Sequence, residues 1–176
     1  MTGGDGRTTG EIRPIHDRAV EAVAALLERE RLMSVATNRP DGWPQVTTVG
    51  YISEGLRLYF VVARNSQKFR NLQADPRMSA AIRAGHGSGG DAVGASFAGL
   101  AEEVTDPAVV ERLNQKVIAR FPDVHIYCPG DVSVAVMAFS PSLVTPVAVM
   151  DGRSHAETFS IGDGPAPPKH PETRLF

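Results

Sequence analysis

The sequence predicts a mainly β fold: a small antiparallel barrel, closed or nearly closed, of six or more strands with about three helices at its periphery. Three observations predict it. Short runs rich in β-branched and aromatic residues follow one another through the first half of the chain. Asp-Gly and Glu-Gly pairs join the first three runs at hairpin distance. The regular strand–helix alternation of a doubly wound parallel sheet is missing.

Each element has its own warrant. Across 14–29, Ile15, Ala19, Val20, Val23, Leu26 and Leu27 recur at helical spacing, so this segment reads as a helix with one apolar face. "RLMSVATN" (31–38) reads as a strand, "RPDGWP" (39–44) as its turn and "PQVTTVGYI" (44–52) as its partner. "SEG" then turns the chain into "LRLYFVV" (56–62), completing a three-stranded meander. A helix over about 66–74 ends at "ADPR", where Pro76 biases the chain out of helical geometry. "RMSAAIRA" (77–84) is a fourth strand and "GASFAGLAEEV" (94–104) a fifth.

Between those two strands, "GHGSGGDAVG" (85–94) lacks the Lys-Ser/Thr of a phosphate loop and the helical continuation of a dinucleotide fingerprint, so it reads as a flexible connection. "DPAVVERLNQKVIARF" (106–121) is a helix with Asp106 as N-cap, Pro107 at the first position and an apolar stripe of Val110, Leu113, Val117 and Phe121. "DVSVAVMAF" (131–139), "LVTPVAVM" (143–150) and "SHAETFSI" (154–161) supply the last strands. The chain divides into one domain over 13–161, a Gly/Thr-rich start (1–12) and a Pro-rich tail (162–176). There is no internal repeat.

Composition narrows the function. A net charge of −2 gives no global attraction to nucleic acid or anionic membrane, and 6% aromatic residues leave little for base stacking. The single cysteine, Cys128, cannot form an internal disulfide and suits a reducing compartment. With no basic-then-apolar leader and no apolar run near the roughly 18 residues that span a bilayer, a soluble cytoplasmic protein is expected.

No nucleophile elbow, HExxH or paired-cysteine metal motif is present. The five histidines (16, 86, 125, 155 and 170) are scattered, and no acid/base pair is nominated by spacing. No catalytic side chain and no metal ligand are therefore assigned. If the protein is an enzyme, its hard chemistry belongs to a cofactor.

The positive signal is "ARNSQKFRNL" (63–72), where Lys68 sits in a helix's first turn, flanked by Arg64 and Arg70. A cation is disfavoured at the positive end of a helix. Two readings stand. The segment is a solvated basic turn, or the free amides of the helix start, the Ser66 hydroxyl and the Lys68 ammonium form an anion site. On the preceding strand, Thr47 and Thr48 are consecutive, so one hydroxyl must face inward and find a partner in the backbone or a ligand.

Taken together, "LMSVATNRPDGWPQVTTVGYI", "LRLYFVVARNSQKFRNLQADPRMSAAI" and "FAGLAEEVTD" resemble the pyridoxamine 5'-phosphate oxidase-like family of FMN-binding split barrels, over about residues 15–161. Its most specific part is the succession strand, Ser-x-Lys, helix, "NL", "DPR". The resemblance implies a homodimer with two flavins in clefts along the subunit interface. It implies that Ser66, Gln67 and Lys68 hold the flavin phosphate, that Val46, Thr47, Thr48 and Val49 lie along the flavin on one strand, and that Val61 and Val62 do so on the next. It also implies that His155 approaches the partner's flavin.

The activity implied is an FMN-dependent oxidoreductase acting on a small organic substrate, with hydride exchanged at the flavin N5 and no side chain required as acid or base. Relatives that use a deazaflavin coenzyme, or that bind flavin or haem without turnover, are the alternatives. Val46, Tyr51 and Gln67 stand where the pyridoxamine phosphate oxidases themselves carry Arg, Lys and Arg, so vitamin B6 oxidation is not the activity expected.

Overall fold

A computed structural model describes residues 12–84, 92–122, 133–150 and 153–162. Ten strands and three helices lie among them: β1 (Arg13–Pro14), α1 (Asp17–Arg29), β2 (Leu32–Asn38), β3 (Pro44–Gly50), β4 (Ile52–Glu54), β5 (Arg57–Ala63), α2 (Gln67–Ala74), β6 (Arg77–Arg83), β7 (Ala92–Glu103), α3 (Pro107–Arg120), β8 (Val134–Met150), β9 (Arg153–Ala156) and β10 (Phe159–Ser160). The mainly β class is borne out. Nearly all ladders are antiparallel, the exception being the short β1–β10 pair, which is parallel.

The sheet runs β3-β2-β6-β7-β8, and β8 passes to β5, which in turn carries β4. Because β3 and β4 are separated only by Tyr51, one bent strand begins at one end of the sheet and finishes at the other. That bend curls the sheet into a barrel. The barrel is split, because β3 and β5 touch without pairing.

Alternation decides what fills the interior. In β2, Met33, Val35 and Thr37 are buried while Leu32, Ser34 and Asn38 are exposed. Leu58, Phe60 and Val62 of β5, Met78, Ala80 and Ile82 of β6, and Met137 and Phe139 of β8 meet the α1 face Val23, Leu26 and Leu27 in the main core. The opposite side of β5 and β8 (Tyr59, Val136, Ala138) packs with Ile52 against Leu113 and Val117 of α3. The α3 stripe read from spacing is therefore the packed one.

Four boundaries differ from expectation. The first helix starts at Asp17 rather than residue 14, with His16 as N-cap; the Nδ1 atom accepts from the Ala19 amide at 3.3 Å. The second run breaks at Tyr51 into β3 and β4. The segments read as separate strands over 131–139 and 143–150 join into one strand, β8, which runs through Pro141 between them. The β7–β8 register shifts between Ala98 and Gly99, leaving Ser142 as an extra residue in β8, and this bulge lies beside Pro141, which has no amide to donate. The last run divides into β9 and β10. The loop residues 85–91, the start 1–11, the tail 163–176, and His86, His125, Cys128 and His170 lie outside the described residues.

Candidate functional site

The split has two lips. Among the described residues β3 pairs only with β2, so its other edge has no strand partner there. β5 pairs with β8 along its length, but β4 covers only Arg57–Tyr59 on the other side, leaving the edge of Phe60–Ala63 open. Alternate residues of Val46–Val49 and of Val61–Val62 thus aim unpaired amides and carbonyls into the slot. Backbone donors and acceptors in such a place need a partner from solvent or ligand.

α2 stands at one end of this slot, directly after β5, and contacts both β2 and β5. Ser66 is its N-cap: the Oγ atom accepts from the Phe69 amide at 3.2 Å. The hydroxyl proton stays available to an acceptor. The Arg70 amide bonds the Ser66 carbonyl, whereas no backbone acceptor among the described residues takes the amides of Gln67 and Lys68. These are the orphan donors of a helix start.

The three cations of this segment have separate fates. Arg64 pairs with Glu103 and lies over the Phe69 ring at 5.4 Å. Arg70 turns back, donating to the Asn65 carbonyl at 2.9 Å and to Gln67 Oε1 at 3.0 Å. Lys68 is half-buried and has no hydrogen-bond or ion-pair partner among the described residues. Burial pushes its ammonium pKa down. A cation desolvated at the positive end of a helix is at home only when an anion joins it.

The two threonines separate as alternation requires. Thr48 is exposed, while Thr47 faces inward, and its Oγ1 is buried without a hydrogen-bond partner. Val49 packs against the main core, and Val46 stands 65% exposed on the outer face. Val61 is half-buried, but the Val62 side chain is core, so only its backbone can serve a ligand.

Gln67 is engaged at both ends of its amide. Its Oε1 accepts from Arg70, and its Nε2 donates to Asn71 Oδ1 at 2.8 Å. Asn71 is fully buried and donates in turn to Thr37 Oγ1 and Gln45 Oε1, each at 3.1 Å. Asn71 and Gln45 are the residues missed by sequence reasoning. A buried amide inside a short helix, where asparagine is a poor helix former, was the available signal.

His155 lies elsewhere. It is exposed on β9 opposite Ala148, whereas β5 ends opposite Val134, fourteen residues away along β8. It lines a cavity of about 730 Å³ between α1 and the β7–β8–β9 end, shared with His16, Arg18, Val93 and Phe159. None of the slot residues lines that cavity. Among the described residues no group of three or more His, Cys, Asp or Glu could hold a metal ion, and no helix is long and apolar enough to cross a membrane.

A barrel split between two open strand edges, with a helix start at one end of the opening, defines a split-barrel protein. The family model for pyridoxamine 5'-phosphate oxidase matches residues 19–148, and the chain belongs to that family. No protein of curated function matches the sequence. Among solved structures it is similar to a heme binding protein from Mycobacterium smegmatis, at 22% identity and a TM-score of 0.67, covering 82% of this chain and 59% of that one. An F420 reductase aligns at 27% identity and a TM-score of 0.56, covering 68% and 93% of the two chains. HutZ, the heme storage protein from Vibrio cholerae, aligns at 14% identity and 0.60, covering 69% and 88%. The haem proteins share the fold.

Proposed function

We propose that this chain is an FMN-binding flavoprotein, working as a homodimer with cofactor clefts at the subunit interface, and that it is an oxidoreductase for a small organic substrate. The observation that carries this reading is Lys68: a half-buried ammonium with no partner among the described residues, at the helix start that closes the slot. The residues present fit the group. Ser66, Lys68 and the first-turn amides would hold a phosphate, and the orphaned Thr47 Oγ1 and the open edges of Val46–Val49 and Val61–Val62 would meet the polar rim of a flat ring. Bound there, a flavin supplies hydride chemistry. The chain's own part is to hold and orient it, and to offer backbone N–H groups where negative charge develops on the ring. His155 belongs to this reading only across a subunit interface.

The test is the absorbance spectrum of freshly purified full-length protein, with the mass of whatever heat releases. Flavin bands and the mass of FMN are expected. A colourless protein that takes up no added FMN sinks the proposal. A Soret band would replace FMN by haem and turn attention to the cavity that His16 and His155 share.

A deazaflavin coenzyme is the second reading, and one observation favours it. With Arg64 bound to Glu103 and Arg70 turned onto Gln67, Lys68 is, of this segment's three cations, the one without a partner among the described residues. A singly charged phosphodiester suits that arrangement better than a doubly charged monoester. Titrating FMN and a deazaflavin into apoprotein separates the two by affinity.

A further inference from the structure

Asn71 has the marks of a part that aligns two others. It sits one turn into α2 and is fully buried, and every hydrogen-bonding atom of its side chain that matters is directed by a neighbour. The Oδ1 atom accepts from Gln67 in the first turn of the same helix. The Nδ2 atom donates to Thr37 on β2 and to Gln45 on β3, two residues before the orphaned Thr47. Thr37 and Gln45 are themselves opposite each other across the β2–β3 ladder. One carboxamide therefore pins the helix that offers the anion donors to the strand that forms one lip of the slot.

We propose that Asn71 is a positioning residue for the anion end of this slot, and that Gln67 orients Asn71 instead of touching the anion. The inference rests on the flavin-phosphate reading given above. Hydrogen bonds to phosphate are short and directional, so a helix start displaced by a fraction of an ångström from the β3 lip loses them while the ring contacts on the strand edges survive. Gln67, with Oε1 held by Arg70 and one Nε2 hydrogen given to Asn71, has its carboxamide fixed at both ends, so its remaining N–H cannot swing toward a phosphate oxygen without breaking one of those bonds. Ser66, Lys68 and the amides of Gln67 and Lys68 remain as the anion's ligands.

The test compares FMN with riboflavin, which has the ring and lacks the phosphate, by fluorescence titration of the full-length apoprotein. The ratio of the two affinities reads the anion end alone. In Asn71→Ala the ratio is expected to fall by about fivefold or more, with riboflavin affinity held within about twofold, while Gln67→Ala keeps the ratio. Because Asn71→Ala leaves the buried Thr37 and the half-buried Gln45 without their donor, a triple variant (Asn71→Leu, Thr37→Val, Gln45→Met) removes both strand partners together with it. It should fold as well as the parent and show the same fall.

Three results overturn the proposal. The ratio survives in the Asn71 variants, or both affinities fall together as for a merely structural residue, or Gln67→Ala collapses the ratio as Lys68→Ala does. A parent protein that binds both flavins equally, or neither, refutes the phosphate reading itself and this inference with it. That failure differs from a parental preference that outlives the loss of Asn71.

Discussion

The Tyr51 hydroxyl donates to the Leu27 carbonyl at 3.1 Å, across the barrel interior. Tyr51 occupies the bend between β3 and β4, and Leu27 belongs to the last turn of α1, where carbonyls lack intrahelical donors. Arg120 of α3 reaches the same turn and donates to the Glu30 carbonyl at 3.0 Å. The bend that makes the split thus also caps the helix that closes the barrel.

Replacing Tyr51 by Phe should therefore cost about 1 kcal/mol, read as a lower urea midpoint at unchanged slope. The pH dependence has a definite sign. Burial, the largest cause, raises the Tyr51 pKa above its ordinary value. Stability from this group is complete below the unfolded value of about 10 and declines as pH rises beyond it. The Phe variant should lose less stability than the parent between about pH 9 and 11. Parallel alkaline losses in both proteins would show that Tyr51 titrates freely.

Lys68→Ala should separate stability from binding. The apoprotein is expected to gain a few tenths of a kcal/mol, because an unpaired cation leaves the positive end of α2 and alanine favours the helix. FMN affinity should drop by about tenfold or more, with riboflavin unaffected. In the parent, FMN binding should weaken as pH rises toward the lysine's lowered pKa, where the charged form is lost. Thermal melts and titrations over pH check all three.

Gly99 allows no side chain. A Cβ there would meet the Ser140 carbonyl oxygen at 2.2 Å and Pro141 Cα at 2.6 Å, both backbone atoms of the facing strand. Gly99→Ala should destabilise the protein by about 1–3 kcal/mol or more, since β7 cannot move away from the β8 bulge without disturbing the register of the pair. An unchanged melting temperature would mean the bulge relaxes freely.

The outer face of β2 and β3 carries Leu32 at 61% and Val46 at 65% exposure, with Trp43 at 74% in the adjoining turn. Apolar residues in such company mark an interaction surface. Under the proposed homodimer, Leu32→Glu with Val46→Glu should convert dimer to monomer in sedimentation velocity and lower FMN retention. A parent that sediments as a monomer would remove the interface from the functional proposal.

Much of this architecture was legible in the sequence because local chemistry dictated it. The alternation in "LMSVATN", the Asp-Gly turn before Trp43, the Asp106-Pro107 helix start and the Ser66 N-cap are each decided within a few residues, by pleat, turn geometry and orphan amides. The helix start with a lysine in its first turn was readable for the same reason. The consecutive threonines foretold that one hydroxyl would face inward, and Thr47 does.

Other features depend on which distant segments meet. Read from the sequence, one strand ends at Phe139 and the next begins at Leu143, yet β8 runs on through Pro141 because a bulge at Ser142 accommodates it. Whether Arg64, Lys68 or Arg70 faces an anion could not follow from their spacing. Glu103, nearly forty residues further on, takes Arg64, and Gln67 with the Asn65 carbonyl takes Arg70. Asn71 looked like an ordinary helix residue until Thr37 and Gln45 were brought beside it.

By itself, then, the sequence determined most of the strands, the helices and the place where a lysine enters a helix's first turn, since hydrogen-bonding and steric rules at those points act between near neighbours. Only the tertiary structure decided that the barrel is open between β3 and β5, that Lys68 is the cation left without a partner, and that one buried amide ties α2 to the lip of the opening. Ion pairing and buried amide networks depend on distances between residues far apart in the chain, and those distances exist only once the sheet has curled and the helices have packed on it.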